Sequence, residues 1–171
     1  MKKWFFVAAL PFVIFPLQAQ SSNSLSAGAK TLYTMAKSNI LKSAEEMPES
    51  DYSFKPTEGV RTFGQLVGHV ADGQYEFCSS VVGDSATPPE VEKSKTTKAD
   101  LITGLKAAFA YCDKAYDGLT DAQAANSVKF FGRDMAKLTV LNFNTAHTDE
   151  HYGNMVTYLR MKGLVPPSSK H

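Results

Sequence analysis

His147 and His151 stand four residues apart in the pentapeptide His147-Thr148-Asp149-Glu150-His151, and a third histidine, His69, lies far upstream. Residues four apart on an α-helix lie one above the other on the same face. Two imidazoles so placed can grip one metal ion. A third from another helix completes a facial set with open coordination positions, which distinguish a catalytic metal from a closed structural one. A divalent ion there would polarise a bound group and lower the pKa of a bound water or thiol. Such ligands must be neutral, so metal affinity should fall below about pH 6.5, where histidine protonates. The fourth histidine of the chain is the C-terminal His171.

The pentapeptide also satisfies His-x-x-Glu-His, a protease pattern in which the glutamate is a general base and a later acidic residue is the third zinc ligand. Residues 152–171 contain no Asp or Glu, so that ligand does not exist. Asp72, Glu76 and Glu150 are candidates for an outer shell that orients the imidazoles. Tyr158 and Asn144 share the face of the histidine pair and could touch a substrate. No general acid or base is fixed by spacing, so catalytic residues are not assigned. Three imidazoles accept zinc, nickel, iron or copper, and selection depends on geometry and supply.

Four segments have the spacing of helices that could carry these side chains. The first runs from about Leu25 to Met47, where Pro48 ends it. The second runs from about Thr62, a good N-cap, to Val82, with Phe63, Leu66, Val67, Val70, Phe77 and Val81 as its apolar stripe. The third runs from about Lys98, capped by Thr97, to Leu119. The fourth runs from about Met135 to Lys162, stopped by Gly163 and Pro166-Pro167. At about 100° per residue, His151 falls about 40° from His147, and the strongest apolar arc (Leu141, Tyr152, Val156, Leu159) lies about 120–180° round. On the second helix Gly73, one turn beyond His69, leaves space beside that imidazole. Both placements put the histidines at the margin of an apolar stripe, as a metal in the wall of a pocket requires. Residues 83–96 are long for a tight turn, and Val128 to Phe131 could be extended. The expected fold is all-α, a four-helix bundle with a long crossover between the second and third helices.

Lys2 and Lys3 followed by the apolar run Trp4–Leu17 and the small residue Ala19 have the pattern of a secretory signal peptide cleaved before Gln20. The run is short for a membrane span and is broken by Pro11 and Pro16. The expected domain is then residues 20–171, exported to the periplasm or medium and without a membrane anchor. The chain has 18 basic and 17 acidic residues, and loss of Lys2 and Lys3 makes the balance slightly negative. No basic block follows, so nucleic acid is not an expected partner. Cys78 and Cys112 each fall within a helix; in an exported protein they could form a disulfide, and otherwise they are two buried thiols.

A histidine in the second helix within Thr62-Phe63-Gly64-Gln65-Leu66-Val67-Gly68-His69-Val70 resembles the first metal ligand of the DinB-like family. His147-x-x-x-His151 in the last helix is similar to its second and third, and the ending Tyr158-Leu159-Arg160-x-x-Gly163-x-Val165-Pro166-Pro167 is typical of that family. The resemblance spans about Leu25 to Pro167. It implies the crossover bundle and a divalent metal (zinc, nickel or iron) on His69, His147 and His151. Some members transfer low-molecular-weight thiols or isomerise with a thiol cofactor, and members often form homodimers. Thiol cofactors are mainly cytosolic, which for an exported chain favours a hydrolase acting on a small molecule over a transferase. The alternative is a non-catalytic extracytoplasmic protein that binds a metal or small ligand.

Overall fold

A computed structural model describes residues 23–84 and 86–170. The expected leader, residues 1–19, lies outside the described residues. Among those described, no helix is long and apolar enough to cross a membrane.

The four long helices are α1 (Ser24–Glu46), α2 (Phe63–Val82), α4 (Lys98–Gly118) and α6 (Lys137–Met161), with short helices α3 (Val91–Ser94) and α5 (Asp121–Ala124) between them. Their ends follow local chemistry. Thr62 and Gln65 form a reciprocal capping box at the start of α2, and Thr97 Oγ1 accepts from Asp100 N at the start of α4. The start of α1 has no cap of its own. The Asp121 carboxylate, far along the chain on α5, accepts from Leu25 N, Ser26 N and Ser26 Oγ and replaces it.

Helix α1 packs on α4 and α6, and α2 packs on the same two, so α1 lies diagonally opposite α2. Directions follow from which ends meet. Phe63 N donates to Phe54 O at the α1–α2 connection, so these helices run antiparallel. Gly64 meets Leu101 at one end, and Val81 meets Leu119 at the other, so α2 and α4 run parallel. Lys137 Nζ donates to Val81 O, which sets α6 antiparallel to α2. Parallel α2 and α4 need a connection that travels the length of the bundle. That is the expected crossover, and α3 lies within it.

The crossover is held tightly against the bundle. A Cβ on Gly68 would lie 2.5 Å from Glu92 Cα, and one on Gly104 would lie 2.9 Å from Val91 Cγ1. Only glycine admits the α3 backbone at that first position. The Asp72 carboxylate then accepts from Val91 N at 2.7 Å and Glu92 N at 3.0 Å.

One feature differs from the sequence reading, and one choice it left open is settled. The fourth helix begins two residues later than expected, because Met135 belongs to an antiparallel hairpin, β1 (Ser127–Phe130) with β2 (Arg133–Ala136). The connecting residues Phe131 and Gly132 both have positive φ, 47° and 73°, the requirement of a tight hairpin turn. Phe130 is buried against Phe77, whereas Phe131 is exposed. The cysteines, left open by sequence, are joined: Cys78 of α2 and Cys112 of α4 form a disulfide with Cα atoms 5.2 Å apart.

The disulfide closes a loop that contains the whole crossover. Cys78→Ala/Cys112→Ala should therefore lower stability by about 3–4 kcal/mol, read as a lower denaturant midpoint. Reductant should shift the wild type equally and leave the double variant unmoved.

Candidate metal centre

His69 and Gly73 lie one turn apart on α2, and His147 and His151 one turn apart on α6. The space left by Gly73 is filled by His147: a Cβ on Gly73 would lie 2.9 Å from its Cε1. The imidazole rests on the α2 backbone, with Phe77 one turn further at 5.3 Å between ring centroids. His69, His147 and His151 each offer one ring nitrogen, all within 4.8 Å of one another. The Nε2 atoms of His147 and His69 are 3.2 Å apart, and those of His151 and His147 are 3.0 Å apart.

This donor set fits a cation. Nitrogens bound to one ion at about 2.0–2.1 Å sit about 2.8–3.0 Å apart in octahedral and about 3.3–3.4 Å apart in tetrahedral geometry, a range that brackets both short separations. Proton accounting points the same way. Each neutral imidazole carries one proton. If His69 and His151 are protonated at Nδ1, a single proton on His147 Nε2 must serve two acceptors. Moving it to His147 Nδ1 places it on a buried atom without a partner. With the proton there, three Nε2 lone pairs face one another, and a cation among them would replace that repulsion by attraction.

The far sides of the rings differ. His69 Nδ1 lies 3.2 Å from Glu92 Oε2, and the other oxygen of that carboxylate accepts from Arg61 Nε at 2.8 Å. His151 Nδ1 lies 3.5 Å from the Asn154 amide. Arg61 is in turn fixed through its backbone, where its carbonyl accepts from Tyr158 Oη at 2.8 Å. The chain Arg61–Glu92–His69 thus reaches the centre from the crossover side.

Burial, the His69 ring and the positive charge of Arg61 push His147 down to about 4. Burial, His147, His69 and Arg61 push His151 down to about 3. Both are therefore neutral at pH 7, the state a metal ligand needs.

The outer-shell candidates fare unequally. Asp72 does not touch an imidazole; it caps α3 and so holds Glu92 in place. Glu76 is exposed and its side chain touches none of the three rings. Glu150 lines a cavity of about 410 Å³ beside His151, with Arg61, Asn154 and Tyr158. Tyr158 does face that cavity. Asn144 does not: it is fully buried and donates to Gln74 Oε1 at 3.0 Å and Cys112 Sγ at 3.4 Å. His151 is itself buried. The buried band of α6 is widened by Asn144, Thr145 and Thr148, so apolar residues alone misplace its edge. Sequence reasoning missed Glu92 and Arg61, which lie in connections without helical period; Asn154, three residues beyond His151, was legible as its neighbour.

The family model described as the DinB superfamily matches residues 32–155. The chain belongs to that superfamily. It is 26% identical over 123 residues to the uncharacterized protein YjoA of Bacillus subtilis (strain 168), spanning 70% of this chain and 79% of that one. A crystal structure of a DinB-like protein from Bacillus cereus ATCC 10987 superposes with a TM-score of 0.73 at 20% identity, covering 82% of this chain and 95% of the other. The mycothiol-dependent maleylpyruvate isomerase superposes with a TM-score of 0.62 at 16% identity, covering 76% of this chain and 60% of the isomerase. At these identities the structural matches establish the fold.

The lowered histidines give the metal-free protein a pH signature. Unfolded histidine takes a proton near pH 6.5, whereas folded His147 and His151 refuse one until about pH 4 and 3. Stability is complete above that range and falls with pH through it, because the unfolded chain binds more protons. In the presence of chelator, the melting temperature should decline from about pH 6.5 toward pH 4. His151→Gln should flatten part of the decline, and an unchanged profile would contradict it.

Proposed function

We propose that this chain is an exported protein that holds a divalent metal on His69, His147 and His151 and acts on a small molecule as a hydrolase or transferase. The observation that carries this reading is the grouping of three imidazoles with ring nitrogens within 4.8 Å of one another, two of the Nε2 pairs at 3.0 and 3.2 Å. Zinc, nickel and iron all suit three imidazoles with open positions. Such an ion would supply Lewis acidity toward a bound carbonyl, water or thiol. The chain's own residues would supply the rest. Glu92 would accept the Nδ1 proton of His69 and so fix its tautomer and ring orientation. Gly73 and Phe77 hold the His147 ring and shield one side from water. The cavity beside His151 would admit the substrate.

The isomerase among the fold neighbours is named for a thiol dependence, which supports small-molecule chemistry on this bundle. Export finds support in the Cys78–Cys112 disulfide, since such bonds persist mainly in oxidising compartments. The second reading, a non-catalytic binder of a metal or small ligand, draws on the scarcity of proton-transfer groups. Glu150 is the carboxylate of the cavity and is hydrogen-bonded to none of the three imidazoles.

Elemental analysis tests the site. Wild-type protein purified from its native compartment should carry about one equivalent of a divalent metal, and His147→Ala/His151→Ala should carry only background. Equal contents would eliminate the centre. Glu92→Gln should weaken metal affinity by about 10–100-fold without changing the circular dichroism spectrum. Turnover of an ester, amide or thiol electrophile, lost with chelator and restored by one metal, would select the enzyme; ligand binding without turnover would select the binder.

A further inference from the structure

We infer that the small molecule taken by this centre carries a carboxylate, and that the free edge of the Arg61 guanidinium binds it. The inference rests on the metal reading above and names its substrate class. Arg61 and His151 line one cavity of about 410 Å³, with Glu150, Asn154, Thr157 and Tyr158. Arg61 is held at two points: its guanidinium donates through Nε to Glu92, and its backbone carbonyl accepts from Tyr158 Oη. Among the described residues neither Nη has a hydrogen-bond partner, and the side chain is 42% exposed, so that edge is open to a ligand arriving from solvent. A guanidinium fixed at Nε presents its remaining N–H groups as a planar fork, the geometry that a carboxylate accepts.

Glu92 cannot fill this role, because its two oxygens already accept from Arg61 and face His69. Glu150 shares the cavity yet forms no ion pair with Arg61. A ligand that enters this cavity meets both Arg61 and His151 on its wall. Asn154 and Thr157, one helical step apart on the same wall, add neutral hydrogen-bonding groups.

The test uses cobalt(II)-loaded protein and two thiols that differ only in charge, 3-mercaptopropionate and its neutral amide. Binding is read by the thiolate-to-cobalt absorption band and by calorimetry. The acid should bind at least about ten-fold more tightly than the amide. Arg61→Gln, compared at equal cobalt occupancy set by elemental analysis, should abolish that preference while the affinity for the neutral amide stays that of the wild type, and Arg61→Lys should restore part of it. Equal affinities in the wild type, a preference that survives Arg61→Gln, or binding of neither thiol would overturn the inference and leave the metal centre standing. Failure to take up cobalt at all would overturn both.

Discussion

Gln74 fixes the register on which the centre depends. Its side chain is fully buried between α2 and α6, accepting from Asn144 Nδ2 at 3.0 Å and donating to Thr148 Oγ1 at 3.1 Å. A slide of α6 by one turn, about 5.4 Å, would strand both ends of a buried amide, a cost of about 1–3 kcal/mol for each lost partner. The neighbouring residue, Gly73, is where the His147 ring meets the α2 backbone. Register and close approach are thus set at adjacent positions. Once both are fixed, His69, one turn before Gly73, has to face His147.

The second constraint comes from the crossover. Parallel α2 and α4 force the chain back along the bundle, and α3 crosses α2 at Gly68, where no side chain could stand. Gly68 and Asp72 lie one turn apart on one face of α2, and His69 and Gly73 one turn apart on the next. The first pair seats the crossover; the second receives the imidazoles. A six-residue stretch, Gly68 to Gly73, therefore positions both the ligand His69 and its carboxylate partner Glu92. Topology makes a remote acid local: Glu92 is 23 residues from His69 yet 3.2 Å away.

What could be read beforehand follows from this division. The long helices were legible because their apolar spacing and caps are local: Thr62, Thr97 and Gly163 mark ends that the structure reproduces within a residue or so. The three histidines were legible because they lie on those helices at spacings that geometry restricts. Gly73 was legible as space, though not as the seat of His147. Glu92 and Arg61 were not, because a connection has no period to read and its path depends on the close approach at Gly68. Asn144 was misplaced for a different reason. Its helical angle puts it on the face of the histidine pair, and only the opposing Gln74 shows that the buried band reaches through it. The hairpin start of the fourth helix was hidden because Met135 suits either a strand or a helix, and the decision lies in the positive φ at Phe131 and Gly132.

Charge around the centre is arranged in two layers. Glu92 faces His69 with one oxygen and Arg61 with the other, so the guanidinium balances the carboxylate. Burial and the positive charge of Arg61 keep His147 and His151 neutral. The pair therefore orients His69 without adding net charge. A divalent ion among neutral ligands would then bring its charge almost uncompensated to the edge of the cavity, with Glu150 as the cavity's own opposing charge. In a partly desolvated setting such an excess attracts an anion more strongly than it would in water. The same Arg61–Glu92 pair would leave a loaded site electropositive. Metal binding and anion attraction would thus arise from one arrangement of charges.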